Sequence, residues 1–145
     1  MEGFTPRRIL VPINGAPTDD EAVRLACRMA RRGKGRVHVI TVLEVERSLP
    51  LGAIQEAETE AAEALLEHAE GVAAELDSDV ETDVIQAREA GPAIVDEVRQ
   101  WRADLVIVGL PFRVRYGEFY LGETAPFVLR HATCRALVFR EPAEE

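Results

Sequence analysis

One lysine, one tryptophan and two cysteines are all that this 145-residue chain holds of those residue types, and no apolar run approaches the roughly 20 residues of a membrane-spanning helix. Each scarcity excludes something. Without a long apolar run, no membrane partner is expected. The opening residues carry no apolar stretch with a small-residue cleavage site, so no secretory signal is read there and the expectation is a cytoplasmic protein. Basic residues number 17 against 26 acidic, a formal net charge of −9. Duplex binding relies on clustered Lys and Arg, so nucleic acid is not an expected partner. Cys27 and Cys134 form no Cys-x-x-Cys, and His38, His68 and His131 show no metal-ligand spacing; free thiols and no metal are expected. A Gly-Lys-Ser/Thr phosphate loop and a nucleophile elbow are both missing, so no catalytic residue is named. What is present is 47% hydrophobic residues, enough to bury a core in a single domain spanning 1–145 and ordered from about residue 6 to about residue 141.

The chain alternates strand and helix signals. Arg8 to Ile13 is a short apolar run suited to a strand covered on both faces, with Pro12 near its carboxyl end. Asn14-Gly15-Ala16-Pro17 turns the chain, and Thr18 with Glu21 reads as a capping box opening a helix that Gly33 ends. Val37 to Leu43 is a second β-branched run. A helix is expected over about 53–76, with Ile54, Ala57, Ala61, Leu65, Ala69, Val72 and Leu76 inward and a solvated acidic face outward. Asp79 to Ile85 alternates as an edge strand. A helix over 93–101, a strand over 103–109, a helix from about Glu123 and a last strand near Arg135 to Arg140 complete the series, before a tail expected to fray. The fold class is α/β: three layers, with helices on both faces of a five-stranded parallel sheet.

In such sheets ligands bind beyond the carboxyl ends of the strands, at the switch in strand order. That brings together Pro12, Ile13, Asn14 and Gly15 after strand one, Val42 in strand two, and the loop between Gly109 and Gly122. A strand, a glycine-bounded loop and a helix N-terminus make a potential anion site, because unpaired backbone N–H groups and the helix dipole point into the loop. The interior of this loop, however, is bulky. Arg113 and Arg115 are suited to meeting a phosphate or carboxylate, or else to pairing with Glu118 or Glu123 while Phe112, Tyr116, Phe119 and Tyr120 fill the cleft. The aromatics are equally suited to lining a pocket for another small molecule or a partner's surface. Thr124 stands where it can cap the helix or touch a ligand.

Three stretches in order resemble the universal stress protein family: Ile9-Leu10-Val11-Pro12-Ile13-Asn14-Gly15 before a helix, Ala103-Asp104-Leu105-Val106-Ile107-Val108-Gly109, and Val128-Leu129-Arg130-His131-Ala132 before the final strand. The resemblance covers nearly the whole chain. It implies a Rossmann-type sheet ordered 3-2-1-4-5, like that of the adenine nucleotide alpha hydrolases, and homodimers paired through the last strand, Ala136 to Arg140. It also implies an ATP site built on Gly-x2-Gly-x9-Gly-Ser/Thr after strand four and an Asp closing strand one. Gly109 and Gly122 match the first and third glycines. Phe112 replaces the second, Glu123 replaces the hydroxyl residue and Asn14 replaces the Asp.

Those departures have physical consequences. A glycine inside a phosphate loop supplies φ > 0 or lets backbone approach the ligand, and Phe112 does neither freely. Glu123 sets a carboxylate near the phosphates; like charges at 4 Å cost about 4 kcal/mol at an effective dielectric near 20. It is equally placed to occupy the helix N-terminus as a built-in anion. The expectation is a homodimeric, non-catalytic, cytoplasmic stress-response or regulatory protein whose usual ATP site is altered. The alternative is a stress protein holding ATP, AMP or a cyclic nucleotide in a remodelled loop, and a nucleotide hydrolase is the third reading.

Overall fold

In a computed structural model the chain is described over residues 3–143; Met1, Glu2, Glu144 and Glu145, at the ends of the expected domain and tail, lie outside the described residues. The strands and helices run β1 (Arg8–Ile13), α1 (Thr18–Arg32), β2 (Arg36–Glu44), α2 (Glu56–Glu75), β3 (Glu81–Ala87), α3 (Ala90–Trp101), β4 (Leu105–Leu110), β5 (Val114–Arg115), β6 (Glu118–Phe119), α4 (Thr124–His131) and β7 (Arg135–Arg140). Five strands form one parallel sheet in the order β3-β2-β1-β4-β7. This is the expected 3-2-1-4-5 order, β7 being the fifth strand of the sheet. The short pair β5–β6 is an antiparallel hairpin inside the β4–α4 loop, where no strand was expected.

Strand alternation divides the core between the two faces. Ile9, Val11, Val37, Val39, Leu105 and Ile107 point to α1 and α2, meeting Val23, Ala26, Cys27, Leu66, Ala69 and Val72. Leu10, Ile40, Val106 and Val108 point the other way and meet Ile94 and Val98 of α3 and Ala125 and Val128 of α4. Being covered on both faces is why β1 and β4 read as continuous apolar runs. Pro12 is tolerated because β1 pairs with β4 only through Ile9 and Leu10, so the ladder has already ended on that side.

Several local expectations are corrected. Helix α2 starts at Glu56, three residues late, and Ile54 is 86% exposed. Its buried stripe is Ala62, Leu66, Ala69, Val72 and Ala73; alanines on both sides of the helix made the 3.6-residue period ambiguous by one position. Strand β3 begins at Glu81, because its register is fixed by pairing Glu81 with His38 along β2. Helix α3 begins at Ala90, ahead of Pro92, which sits in the first turn where its missing N–H costs nothing. The tail does not fray at Glu141: its N–H donates to the Leu110 carbonyl (2.9 Å) and its carboxylate accepts from the Phe112 N–H (2.8 Å).

Candidate functional site

At the carboxyl ends of β1 and β4 the sheet opens into a cleft of about 220 Å³. Pro12, Ile13, Asn14, Val42, Gly109, Arg113, Gly122, Glu123 and Thr124 all line it, joined by Asp19, Ala90, Ile94, Val108, Leu110, Pro111, Leu121 and Ala125. Topology assembles this wall: β1 and β4 are neighbours whose crossovers leave to opposite faces of the sheet. The other sequence-named residues stand apart. Gly15 (φ +91°) lines an adjoining cavity between α1 and α2, and Phe112 and Arg115 belong to the hairpin region outside the cleft wall.

The β1–α1 turn closes on itself. The expected capping box does not form: the residue preceding the helix is Pro17, no side chain caps it, and Thr18 is buried inside the first turn. Asp19 does the work instead. Its Oδ2 accepts the Gly15 N–H at 2.7 Å and the Asn14 N–H at 3.3 Å. Burial raises the Asp19 carboxyl above its ordinary range, and those backbone donors oppose the rise. The Asn14 side chain is also engaged, its Oδ1 accepting the Ala16 N–H at 3.1 Å. Thr18 presses on β4: a methyl group on Gly109 would come within 3.3 Å of its hydroxyl, which favours glycine at this position of the strand.

The β4–α4 segment is built differently. After Leu110 the chain leaves the sheet, forms the β5–β6 hairpin over a Tyr116–Gly117 turn with both φ positive, and returns through Gly122 (φ +80°). At Gly122 only a glycine takes that conformation without strain. Phe112 and Phe119 stack at 5.5 Å between centroids, and the Arg140 guanidinium lies 5.1 and 5.2 Å from the two rings. The aromatics therefore do not fill the cleft; Phe112 and Phe119 pair beside it, Tyr116 is 95% exposed, and Pro111 and Leu121 form the apolar wall. Nor do the loop arginines pair with Glu118 or Glu123: among the described residues Arg113 and Arg115 form no ion pair, and Arg115 lies 4.8 Å from the Tyr120 ring. Helix α4 starts without a side-chain cap, so neither Thr124 nor Glu123 satisfies its N-terminus.

Sequence reasoning missed two acids that shape this region. Asp19 has no role in the sequence reading, although an Asp placed just past an Asn-Gly-Ala-Pro turn is within reach of the turn's own N–H groups. Glu141 was placed in the tail, and nothing local signals its contact with Phe112, which spans 29 positions.

The geometry has known counterparts. The universal stress protein family model matches residues 5–140. A universal stress protein of Methanocaldococcus jannaschii is 26% identical over 145 residues, covering 96% of this chain and 85% of that protein. The structure of a universal stress protein from Archaeoglobus fulgidus superposes with a TM-score of 0.77 at 19% identity, covering 91% of this chain and 97% of that one. An A. fulgidus universal stress protein in complex with dAMP superposes with a TM-score of 0.72 at 18% identity, over 93% and 98% of the two chains. With the family match running from the first strand to the last, this chain belongs to the universal stress protein family.

Proposed function

We propose that the chain is a non-catalytic regulatory stress protein that keeps the frame of an adenine-nucleotide cleft but not its grip on a triphosphate. One observation carries the reading: the backbone N–H of Phe112, at the middle glycine position of the family's phosphate loop, is donated to the Glu141 carboxylate. A donor already held by an internal anion is not offered to a phosphate without breaking that bond. Glu123 and Asp19 add two carboxylates to the cleft wall against the single guanidinium of Arg113, which disfavours a highly charged anion. Homodimerisation through β7 in the cytoplasm belongs to the same proposal. It is supported by the place of β7 at the rim of the sheet, where Ala136 to Phe139 are only half-buried and an open ladder needs covering.

A second reading, an adenine mononucleotide in the remodelled cleft, is favoured by Arg113 on its wall and by the dAMP complex of the A. fulgidus relative. Thermal-shift titration separates the two. A ligand at a hundredfold excess over Kd stabilises by about 2.7 kcal/mol. The proposal expects no saturable rise in melting temperature with millimolar Mg-ATP, AMP or cyclic AMP. A saturable rise with AMP alone selects the second reading, and one with Mg-ATP overturns the proposal.

A further inference from the structure

On the sheet face that packs α3, away from the cleft, one histidine is buried among carboxylates. His38 alternates onto this face with Ile40 and is 3% exposed. Its Nε2 lies 2.9 Å from Asp83 Oδ2 on β3. Asp83 as a carboxylate only accepts, so the Nε2 proton belongs to this bond, and in the neutral imidazole Nδ1 then carries the lone pair. That Nδ1 is fully buried and has no hydrogen-bond partner. It faces the Oε2 of Glu97 on α3 at 3.5 Å. A nitrogen and a carboxylate oxygen thus confront each other across a gap longer than a good hydrogen bond.

The gap has the dimensions of a metal site. Ligands about 2.0–2.1 Å (nitrogen) and 2.0–2.2 Å (oxygen) from a tetrahedral ion stand about 3.3–3.5 Å apart. One ligand atom from each of His38, Asp83 and Glu97 lies within 4.8 Å of the others. We propose that His38 Nδ1 and Glu97 bind a divalent cation of the zinc class, with Asp83 holding the imidazole in the required tautomer and orientation. A carboxylate behind the far nitrogen of a metal-bound histidine is a recurrent arrangement, and imidazole with carboxylate suits zinc and its first-row neighbours. Burial raises the Glu97 carboxyl above its ordinary range, and a cation at this position would favour its ionised form. Glu97 also lines a separate cavity of about 610 Å³ with Asp96 and Gln100, from which water can complete the shell. No spacing in the sequence announces this site, because β2, β3 and α3 each contribute one residue.

Trp101 is the chain's single tryptophan and its ring centroid lies 5.0 Å from that of His38. Paramagnetic Co²⁺ bound here therefore quenches its fluorescence. The expected result is saturable quenching, reversed by excess Zn²⁺, lost in Glu97→Gln and weakened about 10–100-fold in Asp83→Ala. His68→Gln, which removes the other histidine–carboxylate pair, is expected to leave the titration unchanged. Glu97→Gln alters a partly exposed helix position and keeps the test decisive if His38 variants fail to fold. Quenching that does not saturate by about 1 mM Co²⁺, that persists in Glu97→Gln, or that vanishes in His68→Gln overturns the proposal.

Discussion

Two β–α junctions meet at the cleft; both helices start without a side-chain cap, but the segments that lead into them are built in opposite ways. At α1 the turn is short and self-sufficient: Asp19 accepts the N–H groups of Asn14 and Gly15, and Asn14 accepts that of Ala16. At α4 the helix begins without a side-chain cap, after a hairpin that stacks its aromatics on each other and on Arg140. The same dipole and the same orphan N–H groups exist at both ends. The difference teaches that a β–α junction becomes a site only where the chain leaves its donors uncommitted. In this molecule the first junction is committed internally, and the second is committed at Phe112 but not at the helix start itself.

Removing the internal anion breaks that contrast most strongly. Asp19→Ala leaves two turn N–H groups without their acceptor and is expected to cost about 1–3 kcal/mol in urea unfolding. Thr124→Ala, at the start of α4, is expected to stay within about 0.5 kcal/mol of the parent. Equal losses at the two positions would erase the distinction between the junctions. A smaller effect sharpens the α1 side. His68 on α2 lies 3.0 Å from Asp20 on α1, and this hydrogen bond and charge raise the imidazole above its ordinary 6.5. A raised histidine pKa in the folded state contributes stability that is full below 6.5 and lost as pH rises through the elevated value. The pair is exposed, so the contribution is small. NMR titration is expected to show the His68 midpoint falling toward its ordinary value in Asp20→Asn, with no change if the contact is absent in solution.

Much of this was legible in the sequence. The strand runs, their order and the membership of most cleft residues followed from apolar patterning and the family-like stretches, since buried parallel strands leave a strong local mark. The hairpin did not: Val114-Arg115 and Glu118-Phe119 are each two residues long, too short to show a period. The capping box failed because Thr18 and Glu21 satisfy the pattern while the backbone starts the helix one residue earlier than the pattern requires, with Pro17 at the N-cap. Glu141 with Phe112, and His38 with Asp83 and Glu97, are products of topology, invisible until the strands are set side by side.

The central claim is that Phe112, Glu123 and Asn14 replace the triphosphate grip inside a preserved frame. Calorimetric titration of Mg-ATP into the parent chain and into Phe112→Gly/Glu123→Ser/Asn14→Asp tests it directly. The account predicts no saturable binding to the parent at millimolar nucleotide and a gain of at least about tenfold in affinity, or about 1.4 kcal/mol, for the triple variant. A folded triple variant with unchanged affinity, or a parent chain that binds Mg-ATP saturably, would contradict it.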